Sequence, residues 1–176
     1  MPRPGPEPER RFRLTARLVI VDRLPQPGRL LLVSAHGIQA WVTPGGTVDP
    51  GEEPKATAKR EGEEEAGIAV RIERLLFVSI LVPDDVCELY FLATPPTGVR
   101  VNAGPSRGSC WSWADPDGPL RTARWFTREE LAAEPLPVYP SVLRTQLWEA
   151  LNKYQGSGPT WPDPYLGIIR RGSPWR

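Results

Sequence analysis

The chain has 176 residues, of which 40% are hydrophobic and 24% are charged, and this size and composition fit one ordinary globular domain. Its 22 Lys and Arg residues against 21 Asp and Glu residues leave a net charge of +1, which does not favour a stable nucleic-acid partner or a membrane surface. The two cysteines and one histidine are too few for a disulfide framework or a Cys-rich zinc site. They also exclude catalytic triads that need a histidine, unless His36 itself serves.

Both ends of the chain differ in composition from its middle. Residues 1–10 are rich in proline and charge, which favours a flexible tail, and they lack the apolar stretch of a signal peptide. No run approaches the roughly 20 apolar residues of a membrane span, so we expect a cytoplasmic protein. Residues 11–154 carry the periodic pattern of a folded domain. Residues 155–176 are too apolar for a solvated linker, and we expect this extension to pack on the domain or on a second subunit of a homodimer.

The predicted elements alternate between strands and helices. Strands are predicted from apolar runs at residues 12–22, 29–34, 41–43, 70–82, 88–94 and 121–126. Helices are predicted at residues 53–66, from Thr127 onward and at residues 142–154. Residues 95–120 are predicted to be a long loop. This order predicts an α/β (α+β) protein in which helices cover a mixed β-sheet.

Three carboxylates of the first predicted helix fall on one face. Glu61, Glu64 and Glu65 stand at positions i, i+3 and i+4, so their side chains are neighbours and repel one another. A divalent cation would balance them, and Mg²⁺ prefers carboxylate oxygens together with water and phosphate oxygens. The spacing therefore indicates a metal-binding face for a phosphate-containing substrate. The alternative is a solvated, charged helix face.

Two glycine features favour the metal-binding interpretation. Gly62 lies inside the helix at a cost of about 1 kcal/mol relative to Ala. The segment Pro44–Gly45–Gly46 precedes the helix, and glycine backbone can pass close to a ligand.

The stretch from Gly46 to Ile68 resembles the Nudix box, G-x5-E-x7-R-E-U-x-E-E-x-G-U, where U is an aliphatic residue. The matching positions are Gly46, Glu52, Arg60, Glu61, Glu64, Glu65, Gly67 and Ile68. One position departs from the motif, because Gly62 stands where an aliphatic residue normally packs the helix onto the sheet. The departure puts helix stability in doubt but removes no ligand. The resemblance implies a Nudix-type α/β/α sandwich with a mixed β-sheet.

The Nudix resemblance also implies a reaction, the Mg²⁺-dependent hydrolysis of a diphosphate linkage, with Mn²⁺ as an alternative metal. Its implied substrate is a nucleoside diphosphate derivative such as a nucleotide, ADP-ribose or a nucleotide-sugar. The metal ligands implied are Glu61, Glu64, Glu65 and the carbonyl group of Gly45. Arg60 and Glu52 are similar to the pair that holds the loop against the helix in this family. Glu64 is our choice of general base, although the base varies in this family and can come from outside the box.

Residues outside the box are expected to bind the substrate. Trp41, Trp111, Trp113 and Trp125 are candidates to stack on a base, although aromatic residues are more often part of a core, as is expected for Trp125. Trp111 and Trp113 are the better candidates, because they lie in a Gly/Ser/Pro-rich segment. Arg17, like Arg13 and Arg107, can meet phosphates, with a solvated arginine as the alternative. Asp115 and Asp117 lie where many relatives place an additional acid, although Asp-Pro-Asp-Gly is equally a turn.

Two further functions compete with a nucleotide pyrophosphohydrolase. One is a Nudix-fold module that senses a nucleotide without cleaving it, but such modules usually lose box glutamates and this chain keeps all of them. The other is hydrolysis of a non-nucleotide diphosphate, such as an isoprenoid or inositol compound.

Overall fold

The computed structural model describes residues 11–24, 26–35, 39–96, 110–114, 120–153 and 165–170. Its strands are β1 (Arg13–Val21), β2 (Leu30–Ala35), β3 (Trp41–Val42), β4 (Gly45–Thr47), β5 (Arg71–Val82), β6 (Val86–Thr94), β7 (Cys110–Ala114), β8 (Leu120–Phe126), β9 (Val138–Tyr139) and β10 (Tyr165–Arg170). Its α-helices are α1 (Pro54–Ala66), α2 (Arg128–Ala133) and α3 (Gln146–Asn152), with a 3₁₀ helix at Ser141–Arg144. Across these ranges, none of the helices has the length and apolar character needed to cross a membrane.

The strands form one curled mixed sheet in the order β10-β5-β6-β1-β2-β3-β9, with β4 paired to β1 and β8 paired to both β2 and β7. Strands β1 and β6 run parallel, so that Arg17 lies opposite Tyr90. Strand β4 runs antiparallel to β1 and places Gly45 opposite Arg17. These two registers bring the glycine bend before α1 next to residues of the central strands.

Strand β1 separates two apolar cores, because successive side chains of a strand point to opposite faces. Leu18 and Ile20 belong to a core shared with Ala58 and Ala66 of α1. The other core contains Val19 and Val21 of β1 together with Leu147, Trp148 and Leu151 of α3. Helices therefore cover both faces of a mixed sheet, which confirms the predicted fold class.

Helix α1 is defined by its two ends and by close packing in its middle. The side chain of Glu53 caps the N-terminus, and Gly67 ends the helix with φ 64°, in the left-handed region. Gly62 is buried against β1, where a Cβ atom would lie only 2.7 Å from Cδ1 of Leu18. The expected packing defect at Gly62 is therefore absent, because Leu18 reaches into the space that an aliphatic side chain would need.

Several predicted elements need correction. The predicted loop 95–120 contains strand β7, which pairs with β8. The predicted helix 142–154 is a 3₁₀ helix followed by α3, and Thr145, with φ −127° and ψ −86°, separates them. Two short strands that were not predicted, β4 and β9, pair with β1 and β3. In the C-terminal extension, β10 pairs in parallel with β5 of the same chain.

Candidate metal and phosphate site

The glycine bend before α1 passes very close to β1. Gly45 has φ +148°, and a Cβ atom there would lie 2.2 Å from the carbonyl oxygen of Ala16. Only glycine fits this position, because any side chain would collide with the backbone of the neighbouring strand. The bend thereby brings the backbone of Gly45 and Gly46 against the acidic face of α1.

Two of the three glutamates predicted as metal ligands contact this bend. Glu65, only 5% exposed, accepts a hydrogen bond of 2.8 Å from the backbone N–H of Gly45. The carboxylate of Glu61 lies over Gly46, because a Cβ atom built there would be 2.2 Å from Oε1 of Glu61. The acidic face of α1 and the glycine bend are therefore one site.

Arg60 forms ion pairs with three acidic side chains of the site, those of Glu52, Glu61 and Glu64. Its Nη1 donates to Oε1 of Glu61 at 2.9 Å and to Oε2 of Glu64 at 3.0 Å. Its Nε and Nη2 donate to the two carboxylate oxygens of Glu52 at 3.4 Å each. The structure thus brings Arg60 and Glu52 together as the resemblance implies, and it also gives Arg60 a second set of partners on α1.

The charges around Arg60 stabilise its protonated form. The hydrogen bond with Glu52 raises the pKa of Arg60 above its usual value. Partial burial lowers this pKa, but the nearby charge of Glu61 raises it further. Arg60 is therefore a permanent cation at this site.

The donor set fits a hard divalent cation. Glu61 and Glu64 converge on one positively charged nitrogen, which marks a position where two carboxylates already balance a cation. All of the side-chain donors are carboxylate oxygens, which Mg²⁺ and Mn²⁺ prefer. Within the described ranges, no three acidic, His or Cys side chains form a preassembled cage for an ion. A metal ion at this place would have to replace Arg60 as the partner of Glu61 and Glu64, and Arg60 would keep its ion pair with Glu52.

The carbonyl oxygen of Gly45, the fourth predicted metal ligand, accepts a hydrogen bond of 3.0 Å from Nη1 of Arg17. A carbonyl oxygen has two lone pairs, so this bond leaves one for another partner. Arg17, predicted to bind phosphate, is therefore placed directly beside the bend. Its Nε also donates to Oε1 of Glu88 at 3.3 Å.

The other predicted substrate-binding residues are only partly placed. The backbones of Trp111 and Trp113 lie on β7, opposite Ala123 and Arg121 of β8, and their side chains lie outside what the structure describes. The residues wholly outside the described ranges are His36, Arg107, Asp115 and Asp117. Trp125 is buried, as expected of a core residue. Trp41 is buried as well, so this candidate for stacking on a base packs in the core instead.

Glu88 was not singled out from the sequence. It is buried on β6, and its Oε2 accepts hydrogen bonds from Ser79 Oγ at 3.1 Å and from Tyr90 Oη at 2.6 Å. The available signal was a single acidic residue within the otherwise apolar run of β6, since a buried charge needs partners.

Comparison with known proteins places this geometry in a family. A family model described as NUDIX domain matches residues 12–145. A MutT-like protein of Streptomyces ambofaciens is 32% identical over 92 residues, which cover 52% of this chain and 58% of that protein. Diphosphoinositol polyphosphate phosphohydrolase 2 of Rattus norvegicus is 46% identical over 55 residues, or 31% of each chain.

The fold has matching crystal structures as well. A NUDIX hydrolase from Nitrosomonas europaea aligns with a TM-score of 0.60 at 19% identity, covering 91% of this chain and 80% of that one. The chain spans 58% of the Streptomyces protein and 31% of the rat enzyme, so these alignments compare parts of the proteins. The family model, in contrast, matches most of the chain and contains the acidic helix and the glycine bend, and the chain therefore belongs to the NUDIX family.

Proposed function

We propose that this protein is a metal-dependent pyrophosphohydrolase that cleaves the diphosphate linkage of a nucleoside diphosphate derivative. The observation that carries this proposal is the convergence of Glu61 and Glu64 on one cationic nitrogen, beside a glycine bend held by Glu65. Family membership supports the proposal, since the NUDIX neighbours with similar folds include hydrolases. Mg²⁺ is the proposed metal, with Mn²⁺ as a substitute.

The proposed reaction is attack of water on phosphorus. The water oxygen forms a bond to one phosphorus atom, the bond from that phosphorus to the bridging oxygen breaks, and the bridging oxygen leaves on the other phosphate. When bound, the metal supplies charge neutralisation and acidifies a water molecule. Glu61, Glu64 and Glu65 would hold it, with the Gly45 carbonyl as a further ligand.

The protein's own residues hold the site in place and provide a proton acceptor. The hydrogen bond from Gly45 to Glu65 fixes the bend against α1, and Arg60 ties Glu52 of the preceding loop to the same helix. Glu64 is the proposed base that takes the proton of the attacking water. Its side chain is 41% exposed, so water reaches it without a rearrangement of the core.

Recognition of the substrate is assigned to residues outside α1. Arg17 is proposed to contact a phosphate, Trp111 and Trp113 to stack on the base, and Asp115 to contact the substrate. The similarity to diphosphoinositol polyphosphate phosphohydrolase 2 supports a second candidate, the hydrolysis of a non-nucleotide diphosphate by the same metal site.

The first experiment measures product release by purified protein with Mg²⁺ or Mn²⁺. The substrates are nucleoside triphosphates, ADP-ribose, sugar nucleotides, dinucleoside polyphosphates, isoprenoid diphosphates and a diphosphoinositol compound. Glu64→Gln and Glu65→Gln are each expected to lower kcat on the order of 100-fold or more, because each removes a charge from the site. Calorimetry of metal binding should show weaker uptake in both variants.

Glu63→Gln is the matched control, because Glu63 is an exposed residue of the same helix and its substitution removes the same charge. It should leave turnover and metal uptake within about twofold of the unmodified protein, as solvated surface changes usually do. Unchanged turnover in both site variants would refute the assignment. Nucleotide binding without any product would favour the sensing module.

A further inference from the structure

The glycine bend is held from two sides at Gly45. Toward α1, its backbone N–H donates to Oε2 of Glu65 at 2.8 Å. Toward β1, its carbonyl oxygen accepts from Nη1 of Arg17 at 3.0 Å, and the same nitrogen lies 3.5 Å from the carbonyl oxygen of Thr43. Because one guanidinium group contacts two carbonyl groups of the bend, the orientation of the Gly45 carbonyl depends on where the Arg17 side chain lies.

The Arg17 side chain needs an anchor to keep that position. Arginine loses much rotamer freedom when it is fixed, and this side chain is 28% exposed, so packing holds it only in part. Its anchor is Glu88, whose Oε1 accepts from Nε of Arg17 at 3.3 Å. Strands β1 and β6 run parallel, with Thr15 opposite Glu88 and Arg17 opposite Tyr90. Residues two apart on a strand share a face, so the register brings these side chains together.

Glu88 is itself held on two sides. Its side chain is only 6% exposed, and its Oε2 accepts from Ser79 Oγ at 3.1 Å and from Tyr90 Oη at 2.6 Å. Ser79 lies directly opposite Glu88 in the β5–β6 ladder. Two donors on Oε2 fix the carboxylate and leave Oε1 directed at Arg17.

Stability alone gives no reason for this buried ion pair. Burying two charges costs desolvation, and apolar side chains of similar volume often stabilise such a position as well or better. The pair does, however, fix a long and flexible side chain against the backbone of the bend. The contacts therefore favour an orienting role for Glu88.

We propose that Glu88 is a positioning residue for the diphosphate-cleaving site. It acts through Arg17, whose guanidinium group it orients so that the Gly45 carbonyl and the hydrogen bond from Gly45 to Glu65 keep their places. This assignment rests on the proposed function, in which the Gly45 carbonyl and Glu65 help to hold the metal. It extends the site to β6, a strand that carries no residue of the Nudix box.

The first readout needs no catalysis. Hydrogen exchange of the Gly45 amide, followed by NMR on the full chain without metal, reports how often the bond to Glu65 opens. Glu88→Gln keeps the size of the side chain but removes the charge that holds Arg17, and we expect Gly45 to exchange at least about 5-fold faster. Mn²⁺ binding, measured by calorimetry, should weaken about 10-fold, as is usual when a group that supports a metal ligand is changed.

The second readout separates the chemical step from substrate binding. In Glu88→Gln we expect kcat to fall about 10-fold. KM should stay within about threefold, because the guanidinium group of Arg17 remains available to the substrate. Assays are run well below the temperature at which each variant unfolds.

Glu73→Gln is the matched control. Glu73 lies on β5, is also partly buried, and also accepts from an arginine and a hydroxyl group, those of Arg71 and Thr94. Among the described contacts, neither of these partners reaches the glycine bend. Exchange at Gly45, Mn²⁺ binding and kcat should therefore stay within about twofold of the unmodified protein.

Arg17→Lys provides a second variant in case Glu88→Gln does not fold. It keeps a positive charge near Glu88 but loses the planar group that bridges Glu88 and the bend. It should lose protection at Gly45 and Mn²⁺ affinity to a similar extent. Adding Glu88→Gln to Arg17→Lys should change either quantity by no more than about twofold, because Glu88 acts through Arg17.

Three results would overturn the proposal: unchanged exchange at Gly45 in both single variants, an equal loss in Glu73→Gln, or additive losses in the double variant. Failure of the proposed function gives a different pattern. If no diphosphate is hydrolysed while Gly45 exchange and Mn²⁺ binding respond as expected, the positioning role stands and the hydrolase assignment is rejected. If hydrolysis occurs and Glu88→Gln leaves kcat unchanged, only the positioning role is rejected.

Discussion

The two faces of β1 differ in how much room they leave. On the face toward α1, Ala16, Leu18 and Ile20 are fully buried, and Leu18 lies so close to Gly62 that even a methyl group there would collide with it. On the opposite face, near the start of the strand, Arg13 and Arg17 border a cavity of about 330 Å³. The same strand thus packs tightly against the acidic helix α1 on one side and presents charged groups to a cavity on the other. Substitutions should therefore act through steric clashes on the first side and through lost polar contacts on the second.

The largest expected effect comes from adding a side chain at Gly45, where the nearest atom belongs to the backbone of β1. Gly45→Ala forces a side chain into the carbonyl oxygen of Ala16, at 2.2 Å from the ideal Cβ position, with φ at +148°. We expect a loss of at least about 3 kcal/mol in the free energy of unfolding, because strain and overpacking add. Urea denaturation measures it.

Gly51 provides the matched control for that substitution. It also has a positive φ, +84°, but no atom lies within 4 Å of its Cβ position. Gly51→Ala should therefore cost only the backbone term, about 1–2 kcal/mol. Equal losses in the two alanine variants would show that the close approach to β1 has no energetic weight.

A smaller effect is expected at Gly62, where restoring the aliphatic residue typical of the motif should harm this protein. Gly62→Leu is expected to cost about 1–3 kcal/mol, because Cδ1 of Leu18 occupies the space. Leu18→Ala alone should cost about 2–5 kcal/mol through its cavity. In the double variant the new leucine fills that cavity, so the losses should be less than additive by at least about 1 kcal/mol. If the two losses in unfolding free energy simply added, this would contradict the idea that the new leucine side chain fills the space left by Leu18.

The predicted elements are most accurate where the sequence signal lies within the element itself. Helix α1 could be placed to within a residue, because helix-forming residues and Gly67 mark it within one continuous stretch. Strand β4 could not, since Gly45–Thr47 has no alternation and becomes a strand only by pairing with β1. Strand β7 is similar, because its partner β8 determines it from outside the segment.

The candidate site shows the same difference between local and non-local signals. The shared face of Glu61, Glu64 and Glu65 follows from helical periodicity, so the sequence predicts it. The contact between Arg17 and Gly45 depends on the β1–β4 register, and the burial of Glu88 depends on how β6 lies beside β1. Neither can be obtained from local spacing. Gly62 is a third case. The departure from the motif predicts a loss of apolar packing, but Leu18 of β1 occupies the space that an aliphatic side chain would fill.

The smallest expected effect is on the polar face, where Tyr90 donates to Glu88 at 2.6 Å. Tyr90→Phe removes this bond and should cost about 1 kcal/mol at neutral pH. Burial, followed by the charge of Glu88, raises the pKa of Tyr90 well above its ordinary value of 10. Above pH 10 the unfolded chain therefore releases this proton while the folded protein keeps it, and stability falls as the pH rises.

The variant lacks that proton, so the difference in unfolding free energy between the two proteins should be constant below pH 9 and shrink above pH 10. Urea denaturation at pH 8, 9, 10 and 10.5 measures this difference directly, and all other titrating groups cancel in it. Curves that stay parallel to pH 10.5 would mean that water reaches the Tyr90 hydroxyl. The hydrogen bonds around Glu88 would then be open to solvent, and Glu88 would not be held in the fixed position that the structure gives it.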